Sequence, residues 1–154
     1  MMPEKKLARL IRPAGYFNVK AARLKNVITF IKKEGGDGFT RLFKNDPGPL
    51  REMLLGVNGL GPESADSILL YAAGHPVFVV DAYTKRIFSR HRFFTDRAGY
   101  AEIQKIFMDN IEPEAQLYNE YHALIVMLGK YFCKSRPDCT LCPLGFDLKK
   151  AFCK

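Results

Sequence analysis

The chain has 154 residues, 47% hydrophobic and 26% charged, which is enough apolar content for a packed core and too much for a disordered tail or low-complexity linker. On a prior of ~100–200 residues per domain this is one domain, or one with a small appendage. The formal net charge of +8 suits a polyanion such as nucleic acid, and equally a basic surface kept soluble by charge.

The apolar runs VFVV (77–80) and LIVML (124–128) fall far short of the ~20 residues of a membrane span. The start, MMPEKKLARLIRP, carries charges where a secretory signal has its apolar centre. Together these features predict a soluble, intracellular chain.

Nearly every segment carries helical periodicity. Residues 4–12 place Leu7, Leu10 and Ile11 on one face before Pro13 and Gly15 break the turn. Asn18 can cap a helix over roughly 19–33, with Ala21, Leu24, Ile28 and Ile31 as its apolar stripe and Lys20, Arg23, Lys25, Lys32 and Lys33 on its polar side. A loop at 35–38 precedes a short helix around 39–44, and Pro47 opens another through Leu55.

Three glycines in GVNGLG (56–61) stop that helix, and Pro62 suits the first turn of the next, about 62–74. VFVVD (77–81) has strand-like composition but no partner strand. Helices follow at 81–91, 97–111 and 113–131, with Asp96 and Pro113 marking two of the starts. The pattern is all-α, ending in a loop that carries the cysteines.

Three groups of residues could carry chemistry. In the hairpin Gly59-Leu60-Gly61-Pro62, backbone N–H groups at a helix N-terminus suit a phosphate, and a bare Cα lets the phosphate approach. An αα-turn that only packs helices fits the same glycines. Asp81 follows four apolar residues and precedes AYTKR, so its carboxylate can be partly desolvated in a cleft, or can cap the helix it opens. The two roles are compatible.

All four cysteines, Cys133, Cys139, Cys142 and Cys153, fall in the last 22 residues, a clustering that favours metal over scattered disulfides. Four thiolates can hold zinc or an iron–sulfur cluster. Lys134, Arg136, Lys149 and Lys150 surround them, so this tip could also face DNA. His75, His91 and His122 are isolated, and His122 reads as a packed structural residue rather than a ligand. Tyr71, Phe78 and Tyr83 could line a base pocket, though such spacing equally describes plain core.

With these residues in view, the sequence resembles the helix-hairpin-helix DNA glycosylase superfamily with the Gly/Pro…Asp signature, in its endonuclease III-like branch. The resemblance rests on LGVNGLGPESAD (55–66), VVDAYT (79–84), HALIVMLGKYFC (122–133) and CTLCP (139–143), with IRPAGYFN (11–18) fitting the upstream helices. It implies an all-α enzyme that flips a damaged base out of duplex DNA and cuts its N-glycosidic bond.

Asp81 falls on the family's catalytic aspartate. Gly59 and Gly61, with Val57 and Leu60, fall on the phosphate-binding hairpin, and Lys85 and Arg86 beyond Asp81 are further expected DNA contacts. Cys133, Cys139, Cys142 and Cys153 fall on the [4Fe-4S] ligands, with zinc as the alternative metal. The implied division is 1–112, a helical lobe with the hairpin, and 113–154, the last helix and cluster loop. The implied partner is double-stranded DNA containing damaged bases, met by a monomer in the cytoplasm at the nucleoid.

Three departures shape the expectation. Glu63 stands where bifunctional members carry the lysine that forms a Schiff base, so the resemblance implies a monofunctional glycosylase without an efficient lyase step. GLGPESAD is closest in character to the subgroup removing alkylated purines such as 3-methyladenine. The gap from Cys142 to Cys153 is longer than the family's usual one. The chain also begins well into the family's helical lobe, so an N-terminal segment is expected to be lacking. A truncated, non-catalytic helix-hairpin-helix DNA-binding module is the alternative.

Overall fold

The computed structural model describes residues 2–36 and 39–147. Cys153, Lys149 and Lys150 lie outside the described residues. The described chain is helical, with no strand among those residues, as the periodicity predicts. It divides into two compact units, Met1–Ala73 and Gly74–Lys154.

In the first unit, α1 (Glu4–Leu10) and a 3-10 turn (Arg12–Ala14) lead into α2 (Phe17–Gly35). The expected cap at Asn18 is not used. The helix starts two residues earlier, after Tyr16, which adopts a left-handed conformation at φ 47° and makes no side-chain cap bond. Gly15, at φ 65°, reverses the chain just before it, so backbone conformation rather than a side-chain acceptor sets this boundary.

A short α3 (Phe39–Leu42) and then α4 (Pro47–Leu55) follow. The hairpin joins α4 to α5 (Pro62–Ser67), which widens into a π-helical turn over Ile68–Ala72, where the Ala73 N–H reaches the Ile68 carbonyl at 3.0 Å. Ala21, Leu42, Leu50, Leu54, Val57 and Leu69 form this unit's core.

The second unit begins with the extended segment 77–80. It is buried throughout, Phe78 and Val79 completely, which explains its strand-like composition without a sheet. Its backbone is satisfied by side chains of α7 (Tyr100–Asn110): Gln104 Nε2 donates to the Phe78 carbonyl at 2.7 Å, and the Tyr100 hydroxyl accepts the Val80 N–H at 3.4 Å. A buried segment with no ladder needs such partners.

Helix α7 starts at Tyr100 rather than after Asp96, with Gly99 at the cap and the Glu102 carboxylate accepting the Gly99 N–H at 3.3 Å. Helices α6 (Ala82–Arg90) and α8 (Ala115–Tyr131) pack against each other.

Phe78 anchors the unit. Its ring stacks on Phe107 at 4.2 Å between centroids and meets Tyr118 edge-on at 5.5 Å and Tyr121 at 6.1 Å. Offset and edge contacts of this kind add about 0.5–1.5 kcal/mol each beyond burial. Phe78 therefore belongs to the core, as one of its two expected readings had it. Among the described residues no helix is long and apolar enough to cross a membrane.

Candidate functional site

The hairpin is built on α2. Gly59 sits at φ 98°, and a Cβ there would lie 2.3 Å from the Cγ of Arg23. Its missing side chain is therefore required by the stem of a basic residue beneath it as well as by the turn. Asn26, one helical turn further along α2, donates to the Asn58 carbonyl at 3.0 Å.

The hairpin N–H groups do not all face outward: those of Val57 and Leu60 donate to the carbonyls of Leu54 and Val57, both at 3.0 Å. Tight reversal consumes its own donors. Val57 is buried, so its side chain is core. Gly61 is extended, at φ −101° and ψ 177°, with open space where a Cβ would stand.

Arg51 and Asp66 tie α4 to α5, with Nε to Oδ1 at 2.6 Å and Nη2 to Oδ2 at 3.1 Å. Asp66 is wholly buried, so the bidentate guanidinium offsets the cost of removing its charge from water. Glu63 is exposed in the first turn of α5, where the helix dipole favours an anion.

In the second unit, Asp81 caps α6. Its Oδ1 accepts the Thr84 N–H at 2.7 Å and the Thr84 hydroxyl at 2.9 Å. Its Oδ2 lies 3.6 Å from Nε2 of His122 on α8, and both side chains are close to nine-tenths buried. Burial pushes the Asp81 carboxyl upward, but the His122 imidazole and the Thr84 N–H and hydroxyl outweigh it and hold the group below the usual carboxylate value. Asp81 is thus an ionised, nearly buried carboxylate at the end of a stiff apolar segment.

His122 is the residue that sequence reading missed in this role. It was expected to be packed, and it is, but its partner lies 41 positions away and only helix packing brings the two together.

Lys85 and Arg86 turn inward. Lys85 Nζ donates to the Ala98 carbonyl at 3.0 Å. Arg86 donates to the Gly129 and Cys133 carbonyls at 2.9 and 2.8 Å and lies over the Tyr83 ring, 5.0 Å from its centroid. A cation on the last carbonyls of α8 complements that helix end. Both charges thus hold the second unit together from within.

Three of the four cysteines, Cys133, Cys139 and Cys142, line one small cavity with Arg90 and His91. Arg90 Nη1 stands 3.2 Å from Cys133 Sγ and also donates to the Lys134 carbonyl at 2.6 Å. Sulfurs gathered beside a guanidinium suit an anionic metal–thiolate centre, so the donor chemistry fits the expected cluster. Cys133 and Cys142 are free thiols, and no group of three or more metal-ligating side chains converges among the described residues. Cys153, the fourth expected ligand, lies outside the described residues.

A buttressed glycine hairpin between two helices and, further along the chain, an ionised aspartate capping the helix after a buried segment make this a helix-hairpin-helix protein. Residues 1–113 match the HhH-GPD superfamily of base excision DNA repair proteins, and the chain belongs to that family.

A Methanocaldococcus jannaschii protein provisionally named a DNA repair glycosylase is 49% identical over 152 residues, covering 97% of this chain and 66% of its own length. Endonuclease III of Sulfolobus acidocaldarius is 33% identical over 133 residues, covering 86% of this chain and 56% of its own. The chain thus spans about two thirds or less of the length of these relatives.

Among solved structures, the H. pylori 3-methyladenine DNA glycosylase bound to 1,N6-ethenoadenine is 32% identical with a TM-score of 0.67, over 84% of this chain and 64% of that one. A non-covalent endonuclease III–DNA complex, 22% identical, matches in fold with a TM-score of 0.78 over 99% of this chain and 65% of that one.

Proposed function

We propose that the chain acts as a monofunctional DNA glycosylase that removes alkylated bases of the 3-methyladenine type from double-stranded DNA. The observation that carries this reading is Asp81, ionised and nearly buried at the mouth of an apolar segment. A departing base leaves an oxocarbenium-like sugar, and a fixed carboxylate in a poorly solvated place stabilises that charge and can orient water. An alkylated base already carries positive charge, so its glycosidic bond is weakened and a single carboxylate suffices. The target carbon is reached by flipping the nucleotide, least costly where damage weakens its stacking and pairing.

The hairpin's role is to hold a DNA phosphate at Gly59, Leu60 and Gly61. Glu63 cannot form an imine, so strand cleavage through a Schiff base is not expected. The likeness to the 3-methyladenine glycosylase supports the alkylated-base reading. In functional terms the division is 1–112 for the hairpin lobe and 113–154 for the last helix and cysteine loop. The enzyme works as a monomer where the DNA is, at the nucleoid.

Cys133, Cys139, Cys142 and Cys153 would hold a [4Fe-4S] cluster, or zinc, and such a centre would order the C-terminal loop. Iron and sulfide content with a visible spectrum on anaerobically purified protein tests this: about four irons per chain with yellow-brown absorbance is the cluster's signature. Zinc or no metal would reject the cluster.

A second reading is a non-catalytic helix-hairpin-helix module, favoured by the cap geometry, which by itself gives Asp81 a structural reason to be there. Base release from alkylated duplex DNA by wild type and Asp81→Asn separates the two. Release by the wild type that is lost in the variant supports the glycosylase. Salt-sensitive duplex binding with no release by either selects the module, and equal release by both removes Asp81 from the mechanism. Reaction with an abasic duplex and borohydride should trap no covalent complex.

A further inference from the structure

We infer that His122 is a positioning residue for Asp81, holding the Oδ2 side of the carboxylate as Thr84 holds Oδ1. The inference rests on the glycosylase reading for its consequence, but its geometry stands on the fold of the second unit. Asp81 has one oxygen committed to α6 through the Thr84 N–H at 2.7 Å and hydroxyl at 2.9 Å. Left there, the carboxylate could still turn about its Cβ–Cγ bond. The His122 Nε2, 3.6 Å from Oδ2, sits where it limits that turn.

The contact is longer than a hydrogen bond and acts as a short-range electrostatic contact between two poorly solvated groups. Both the imidazole and the carboxylate are close to nine-tenths buried, so the two polar groups face each other out of reach of bulk water. A buried imidazole nitrogen aimed at a buried carboxylate is a costly arrangement unless it serves that carboxylate.

The fold goes to some trouble to place the two groups together. Phe78, three residues before Asp81, touches Tyr121, the residue before His122, and Tyr118, one turn earlier on α8. One aromatic cluster therefore fixes the approach of both residues. Two turns beyond His122 on α8, a Cβ on Gly129 would stand 2.3 Å from Tyr83 Cδ1 in the first turn of α6, so glycine lets α8 lie close to the end of α6 that carries Asp81.

Other charged groups on these elements point elsewhere. Arg86 on α6 serves the Gly129 and Cys133 carbonyls, and Lys85 serves Ala98. On α8, Tyr118 donates to the Ile111 carbonyl. Of the side chains around Asp81, it is the His122 imidazole that acts on the carboxylate over the longer range.

For the reaction, a carboxylate fixed at both oxygens presents its charge in one plane with no reorganisation as the sugar becomes cationic. Loss of one fixing point leaves the charge but not the orientation, and misplacement of about 1 Å can cost ~100-fold in rate. The side-chain amide of Gln can place an N–H near the position of the imidazole Nε2, whereas Leu fills the space with no donor.

The test uses the full chain carrying His122→Leu or His122→Gln, with three readouts: melting temperature, single-turnover release of 3-methyladenine from alkylated duplex across pH, and the titration of the Asp81 carboxyl by carbon NMR. With wild-type-like melting, His122→Leu should release base roughly 10- to 100-fold more slowly, with unchanged duplex affinity. His122→Gln should recover most of that loss. In both variants the Asp81 carboxyl should titrate at higher pH than in wild type, and the acid limb of the rate profile should move with it.

A rate, a pH profile and a carboxyl titration in His122→Leu matching the wild type would overturn the inference. If the wild type releases no base, the glycosylase reading fails, while the carboxyl titration still decides whether His122 governs Asp81. Should His122→Leu fail to fold, His122→Gln and its carboxyl titration carry the decision.

Discussion

Arg51 and Asp66 clasp the two arms of the hairpin, with the Asp66 carboxylate fully buried and the guanidinium of Arg51 set against both its oxygens at 2.6 and 3.1 Å. The sequence between them contains the glycines that bind or merely turn, so the clasp makes the loop's shape independent of whatever it touches. Removing one partner leaves a buried charge or an unfilled space. We expect Asp66→Ala to cost about 3 kcal/mol, read by urea denaturation. A loss under about 0.5 kcal/mol would show that the clasp contributes nothing net, as with many exposed pairs.

The two hairpin glycines should part company on substitution. Gly59→Ala must strain a backbone at φ 98° and displace the Arg23 stem, costing about 1–3 kcal/mol. Gly61→Ala meets open space in an extended conformation, and should leave stability unchanged or slightly improved. If a phosphate approaches Gly61 closely, Gly61→Ala will weaken duplex binding without lowering the melting temperature. Anisotropy titration with unchanged affinity would exclude that approach.

The pH dependence of stability carries Asp81's signature. Its folded-state value lies below the ordinary one, so the ionised group adds stability that is fully present above its unfolded value and is lost as pH falls through the folded value. Asp81→Asn keeps a capping oxygen, since Asn caps about as well as Asp, but does not titrate. The melting-temperature gap between wild type and Asp81→Asn should therefore be greatest near neutral pH and narrow toward acid. A gap constant across that range would contradict the linkage.

Gly129 supplies a test of packing. An added Cβ collides with the Tyr83 ring, and overpacking at such contacts typically costs about 1–3 kcal/mol. Gly129→Ala should lower the melting temperature by several degrees, at roughly 2–4 °C per kcal/mol for a chain of this size, and should also raise the pH at which Asp81 titrates by moving α8. A wild-type melting temperature would mean that Tyr83 turns aside freely.

Periodicity, glycine and proline placed most helices, because those signals are local: a residue three or four positions away decides a helical face, and a proline decides a first turn. The same reading put Asp81 at the start of α6 and recognised that VFVV had no strand partner. It misplaced the starts of α2 and α7, where Tyr16 and Gly99 set the boundary by backbone conformation rather than by an acidic or amide cap.

What the sequence by itself determined is the all-helical pattern, the position of the hairpin and the presence of a carboxylate where a buried segment ends. What only the tertiary structure decided is how those residues are held. It set the Arg23 stem under Gly59, turned Lys85 and Arg86 inward to backbone carbonyls, and brought His122 to within 3.6 Å of Asp81. Each of these depends on distances between elements far apart in the chain. Such distances follow from the volumes of packed side chains, like the ring of Tyr83 against the bare Cα of Gly129, and not from spacing along the sequence.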